Sequence, residues 1–222
     1  MELKKIAVMR SDLTSKFGLP RQGTLIKDLL GEIVIEKEYS VSEAFRGIEE
    51  YSHLYIMWGF SENEGHPWSP TVRPPRLGGN KRVGVFATRS PFRPNPLGLT
   101  IVELKGMRNE SGRIVLEVAG SDLMDGTPIY DIKPYLPYVD SHPEANGGFA
   151  EDKKEYSLKV DIPQVLANKL PDNKLNALIE LLSHDPRPSY QADPDRIYGF
   201  PYAGREVRFR VDGDTLHVTE IE

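Results

Sequence analysis

The sequence has no cysteine among its 222 residues, which excludes disulfides, thiolate metal sites and thiol nucleophiles. It has no apolar run of about 18 residues that would read as a membrane span, and the opening MELKKIAVMRSD is too short in apolar residues for a signal peptide. A cytoplasmic location is the expectation. Also missing are a GxSxG elbow, a Walker phosphate loop and a GxGxxG turn. The five histidines, at 53, 66, 142, 184 and 217, include no pair at HExxH spacing, so no metal is expected.

One further absence is local. Between Gly65 and Val102 there is no Asp or Glu, while Arg73, Arg76, Lys81, Arg82, Arg89 and Arg93 all fall there. The chain as a whole carries 28 Lys and Arg against 33 Asp and Glu, so the remainder stands at 22 against 33. A cationic island in an acidic chain is a localised anion site. Non-selective nucleic-acid binding needs many excess basic residues and is not expected, although a specific RNA could use the island.

What is present reads as strands. Lys5 to Arg10, Glu32 to Glu36, Ser52 to Phe60, Val83 to Thr88, Leu99 to Met107, Arg113 to Val118 and Pro128 to Tyr135 are apolar or alternating runs bounded by turn residues. Asn109 to Gly112 is the hairpin turn between two of them. Ser42 to Tyr51 suits one or two helical turns, and the prolines of Arg89 to Leu97 impose a rigid loop. Strand after strand with short turns predicts a mainly β fold, a sandwich or barrel. Residues 139–154 are polar and glycine-containing and read as a linker. Beyond them, Ile162 to Leu170 and Asp172 to Ser183 predict amphipathic helices, and REVRFRV with TLHVTEIE predicts two closing strands. The expected organisation is a core domain over 1–138, a linker over 139–154 and a small α+β appendage over 155–222.

Two constellations carry chemistry. In the first, a proline-stiffened loop sets Phe92 between Arg89 and Arg93, with Arg73 and Arg76 upstream; fixed guanidinium groups bind carboxylate or phosphate, and an aromatic can stack on a base. Arg73, Arg76, Phe92 and Arg93 are the candidate substrate contacts. The second runs from Ser121 to Tyr135, SDLMDGTPIYDIKPY, and gathers three acids, a lysine and two tyrosines. Those groups would supply acceptors for a cationic ligand and a titratable group beside it.

The stretches TVRPPRLGGNKRVGVFATRSPFRPNPLGLT, SDLMDGTPIYDIKPYLP and DPRPSY, in this order, resemble the TsaA-like (TrmO) family, whose characterised bacterial members are S-adenosylmethionine-dependent tRNA methyltransferases. The similarity extends from about Ile6, through PRQ at Pro20 to Gln22, to the final strands. It implies a β-barrel core, a homodimer with the cofactor near the subunit boundary, and methylation of N6 of threonylcarbamoyladenosine at position 37 of threonine tRNA. Carried onto this sequence, the family's cofactor contacts fall on Arg21, Gln22, Gly23, Ser61, Glu62, Arg89, Leu99, Ile129, Tyr130, Asp131 and Ile132. A carbamoylated N6 must lose its proton to accept a methyl group. Asp125, Asp131 or Tyr130 is the expected acceptor, with Lys133 or an island arginine steadying the urea oxygen or substrate carboxylate. The alternative is a non-catalytic module that senses S-adenosylmethionine or a nucleotide.

Overall fold

A computed structural model describes residues 2–20, 23, 26–74, 77, 81–149, 157–187 and 193–222. Eight strands precede the linker region: β1 Ala7–Ser11, β2 Leu30–Ile35, β3 His53–Gly59, β4 Thr71–Val72, β5 Val83–Gly84, β6 Leu97–Glu110, β7 Arg113–Ala119 and β8 Pro128–Pro134. After the short helix α1 (Pro137–Asp140) come β9 Lys159–Asp161, α2 Gln164–Ala167, α3 Asp172–Ser183, β10 Tyr198–Tyr202, β11 Arg205–Asp212 and β12 Thr215–Ile221.

Six strands close into an antiparallel barrel in the order β1-β2-β7-β6-β3-β8, with β8 returning to β1 through Ala7 opposite Ile129. Closure follows from alternation. Ala7 and Met9, Ile33 and Ile35, Leu54 and Ile56, and Leu116 and Val118 all point inward at spacing two and are buried. Each such Leu or Ile contributes roughly 1.5–3 kcal/mol on burial. The long β6 pairs with β3 up to Glu103 and with β7 from there on, and a register shift between Leu104 and Gly106 gives the bend that this exchange needs. Ser111 and Gly112 both take positive φ, 52° and 78°, which makes the predicted β6–β7 hairpin a tight two-residue turn.

The predicted strand over Val83 to Thr88 stops at Gly84, and Val85 to Ala87 form a 3-10 turn instead. Side chains take over the backbone acceptors there. The Thr88 hydroxyl donates to Val85 O at 2.8 Å, and Arg93 Nη1 donates to Val85 O and to Thr88 O at 3.2 and 2.7 Å.

The C-terminal part is a four-stranded sheet, β10-β11-β12-β9, with β9 parallel to β12. Helix α3 has the predicted bounds and buries Ala177, Leu178, Leu181 and Leu182, whereas the other predicted helix is only the single turn α2. The core beneath this sheet also takes in Leu13, Ile26 and Leu29, with Phe17 and Leu19 packed against it. These residues lie between β1 and β2, so the barrel's first connection contributes side chains to the C-terminal core. Leu13 forms an isolated bridge with Tyr202, Ala203 N donates to Asp12 O at 3.2 Å, and Lys174 pairs with the Asp12 carboxylate.

Candidate active site

The connection that carries Leu13 to Leu19 passes across one end of the barrel, where β3, β6 and the loops after β3 and β7 also arrive. Two cavities open there. One, of about 370 Å³, is lined mostly by apolar groups, with Phe60, Ser61, Glu62, Phe92 and Met124 among them. The other, of about 380 Å³, is lined by Arg89, Arg93, Leu97 and Leu99 with Pro20 and Thr88. Leu19, Trp58, Phe60 and Asp122 line both and form the shared wall.

Local contacts hold this end together. Lys16 Nζ donates to Glu62 O at 2.9 Å, tying the early connection to the 3-10 turn Ser61–Asn63. Buried Asn63 donates to Pro91 O at 3.3 Å, and Phe60 N donates to Pro96 O at 3.0 Å, which ties that turn to the proline-rich loop. The Trp58 and Phe60 rings lie 4.4 Å apart. A Cβ at Gly23 would stand 2.5 Å from Thr100 Cγ2 and 3.3 Å from two backbone oxygens, so only glycine fits where the early connection meets β6.

A chain of hydrogen bonds crosses the shared wall. Trp58 Nε1 donates to Thr100 Oγ1 at 3.0 Å, and the Thr100 hydroxyl donates to Asp122 Oδ1 at 2.7 Å. Burial pushes the Asp122 carboxyl above its usual range, opposed by the Thr100 hydroxyl, by backbone N–H groups of Asp122 itself and Gly23, and by the charge of Arg89. Two aromatic faces in the shared wall, with the guanidinium of Arg89 in the cationic cavity beside them, suit a ligand that carries an aromatic ring and a carboxylate.

The sequence-derived candidates separate into groups. Ser61, Glu62 and Phe92 meet in the apolar cavity, and Arg89, Arg93 and Leu99 in the cationic one. Gly23 is joined to the wall through its N–H on Asp122. Arg93 is largely engaged by its own loop, with a face on the Phe86 ring at 5.6 Å. Arg73 is exposed outside both cavities. Arg21, Gln22 and Arg76 lie outside the described residues.

The second constellation is divided by β8. Ile129 is wholly buried in the barrel, with Ile132 packed against the same core. Tyr130 is the extra residue where β8 slips against β3, and its ring covers Gly59. Asp131 pairs with Lys133 at 2.9 Å, and neither lines the two cavities. Asp125 is exposed at the turn before β8 and accepts from Ser11 N at 3.0 Å. Thr100, Trp58 and Phe60 carry no role in the sequence reading, and Asp122 entered it only as one of the three acids of the Ser121 to Tyr135 stretch. Among the described residues no cluster of three His, Asp or Glu could hold a metal ion.

Family models describe this chain over most of its length: the tRNA-methyltransferase O N-terminal domain matches residues 8–141 and the TrmO C-terminal domain matches residues 151–222. A protein of Escherichia coli K12 named tRNA (adenine(37)-N6)-methyltransferase is 39% identical over 229 residues, covering 100% of this chain and 97% of its own length. A Pseudomonas aeruginosa protein, provisionally named an S-adenosylmethionine-dependent methyltransferase, is 38% identical over 87% of this chain and 85% of its own. A crystal structure of TrmO from Pseudomonas aeruginosa matches with a TM-score of 0.80 at 30% identity, over 100% of this chain and 96% of that one. The matches reach from the barrel strands through both cavities to the last strand, and the chain belongs to the tRNA-methyltransferase O family.

Proposed function

We propose that this protein transfers a methyl group from S-adenosylmethionine to N6 of adenine 37 in tRNA, with threonylcarbamoyladenosine of threonine tRNAs as the acceptor. The observation that carries this reading is the pair of adjoining cavities with one shared wall. A reaction between two ligands needs them side by side in a fixed geometry, and orientation alone supplies several kcal/mol of such a barrier, up to roughly 7–11. The Escherichia coli relative that matches the whole chain is named a tRNA (adenine(37)-N6)-methyltransferase.

When bound, S-adenosylmethionine supplies an electrophilic methyl group on a sulfonium. The residues present suit it: the Trp58 and Phe60 faces meet positive charge, Arg89 meets a carboxylate, and the backbone at Gly23 lies against β6 beside them. Ser61, Glu62 and Leu99 complete the expected contacts around the same wall. Phe92 offers a stacking face on the apolar side, and Arg73 offers a cation to the tRNA backbone. Leu19 of the early connection, packed against the C-terminal core, gives both cavities an apolar surface.

The reading includes a homodimer in the cytoplasm, with residues 1–138 as the cofactor-binding part and 155–222 as the appended part. Leu99 lines the cationic cavity yet is 56% exposed, and Phe86 nearby is 73% exposed, which supplies an apolar face for a second copy beside the site.

The test is transfer of labelled methyl from S-adenosylmethionine to bulk tRNA from cells with and without the threonylcarbamoyl modification. Label confined to the modified pool is expected. Cofactor binding by calorimetry with label in neither pool would overturn the reading in favour of a sensing module.

A further inference from the structure

N6 of threonylcarbamoyladenosine carries a proton, and its lone pair is delocalised into the purine ring and the carbamoyl group. Such a nitrogen is a poor nucleophile until the proton leaves, so a base must stand where the two ligands meet. Among the described residues, Asp122 is the one carboxylate that lines both cavities. Glu62 lines only the apolar cavity and is exposed beside Lys16. Asp125 is held by Ser11 N in an exposed turn, and Asp131 is paired with Lys133 outside both cavities.

We propose that Asp122 is the general base of the methyl transfer, positioned by the Thr100 hydroxyl, which is in turn held by the indole N–H of Trp58. The proposal rests on the methyltransferase reading above. In the step, the N6–H bond breaks, its electrons remain on nitrogen and the proton ends on a carboxylate oxygen of Asp122. The nitrogen pair forms the new N–C bond as the departing sulfur keeps the pair of the broken S–C bond.

The surroundings match that task. Thr100 is only 5% exposed, and Oδ1 of Asp122 is fixed by its hydroxyl at 2.7 Å, so the carboxylate has one set orientation. Burial raises the Asp122 carboxyl, which makes its ionised form a stronger acceptor than a solvated aspartate. Arg89 bears on the same carboxylate and favours its ionised form in the resting site.

The experiment compares full-length wild type, Asp122→Asn and Thr100→Val in single-turnover methylation of threonylcarbamoylated tRNA at saturating S-adenosylmethionine, across pH 5 to 9. Asn keeps an acceptor for Thr100 and Gly23 but removes the base. A rate loss of about 100-fold or more is expected for Asp122→Asn. Its calorimetric Kd for cofactor should stay within about threefold, a change below roughly 0.7 kcal/mol, and the acidic limb of the pH–rate profile should vanish. In Thr100→Val the carboxylate loses a hydrogen bond that favours its ionised form, so the acidic limb should move to higher pH with a smaller rate loss. Thr100→Val also carries the test if Asp122→Asn does not fold. Two results would overturn the assignment: a wild-type rate and limb in Asp122→Asn, or a loss that appears wholly in cofactor Kd. An inactive wild type would instead sink the methyltransferase reading, and this assignment with it.

Discussion

The two hydrophobic cores of this protein are built in different ways. The barrel core is aliphatic, and each strand supplies its share by simple alternation: Met9, Ile33, Leu54, Val102, Leu116 and Ile129. The second core is aromatic in its centre, with Tyr198, Phe200, Tyr202 and Phe209, and it draws on two stretches far apart in the chain, 13–29 and 158–221. Phe17 stacks on Tyr198 and Phe209 at 6.2 and 6.4 Å between centroids. The early connection is thus held by the second core on both sides, through Leu13 and Phe17 before and Ile26 and Leu29 after, and between them it reaches the active-site wall at Leu19, Pro20 and Gly23. The C-terminal sheet therefore bears on the cavities without lining them.

The largest effect that would break this comparison comes from Phe209→Ala. Truncating a fully buried aromatic costs about 3–5 kcal/mol, and the loss should fall on the second core. Urea unfolding followed by both far-UV circular dichroism and tryptophan fluorescence should split into two transitions, with the barrel's unchanged. One transition shifted as a whole would mean that the two cores unfold as a single unit.

A smaller and sharper change is Gly18→Ala. Gly18 has φ of +94°, and a Cβ there would stand 2.4 Å from the Phe200 ring. The combined strain should cost about 1–3 kcal/mol, read as a lower urea midpoint. Since Gly18 touches no cavity, weakened cofactor binding alongside that shift would show that the second core positions the early connection. Intact binding would separate stability from positioning.

The smallest effect concerns the seam between the two regions. Asp122 ionises at higher pH when folded than when unfolded, so between those two values the folded state binds more protons. Stability then falls as pH rises through the folded value, and at pH 7 the buried charge remains a cost. Asp122→Asn should be at least as stable as wild type at pH 7, with the advantage shrinking toward pH 4. Thermal unfolding at both pH values measures it, and a destabilised variant at pH 7 would show that the charge is repaid by Arg89 and its hydrogen bonds.

Much of the barrel was legible because its information is local. Short apolar or alternating runs bounded by turn residues placed β1, β2, β3, β6, β7 and β8 within a few residues, and Ser111-Gly112 and the bounds of α3 also followed from neighbouring residues. β10 was not legible: Gly199 and Pro201 in YGFPY disfavour a strand locally, and the segment is one because Tyr198, Phe200 and Tyr202 find the second core. The site was legible in part. The motif stretches contain Arg89, Phe92 and Leu99, and the family resemblance adds Ser61 and Glu62; all five line one or other of the two cavities. Arg93, read as a substrate contact, lines the cationic cavity while its guanidinium also donates to Val85 O and Thr88 O.

By itself, the sequence determined which faces of the strands are buried, where the acid-free island lies and which family the motifs belong to. All of these depend on residues within a few positions of one another. Tertiary structure decided which of the clustered acids faces both cavities, because Asp122 finds Thr100 across 22 residues and Thr100 finds Trp58 across 42. It also decided that Leu13, Ile26 and Leu29 belong to the C-terminal core. A carboxylate's basicity and a loop's anchorage are set by whatever remote chain passes beside them, and no periodicity in the sequence encodes that passage.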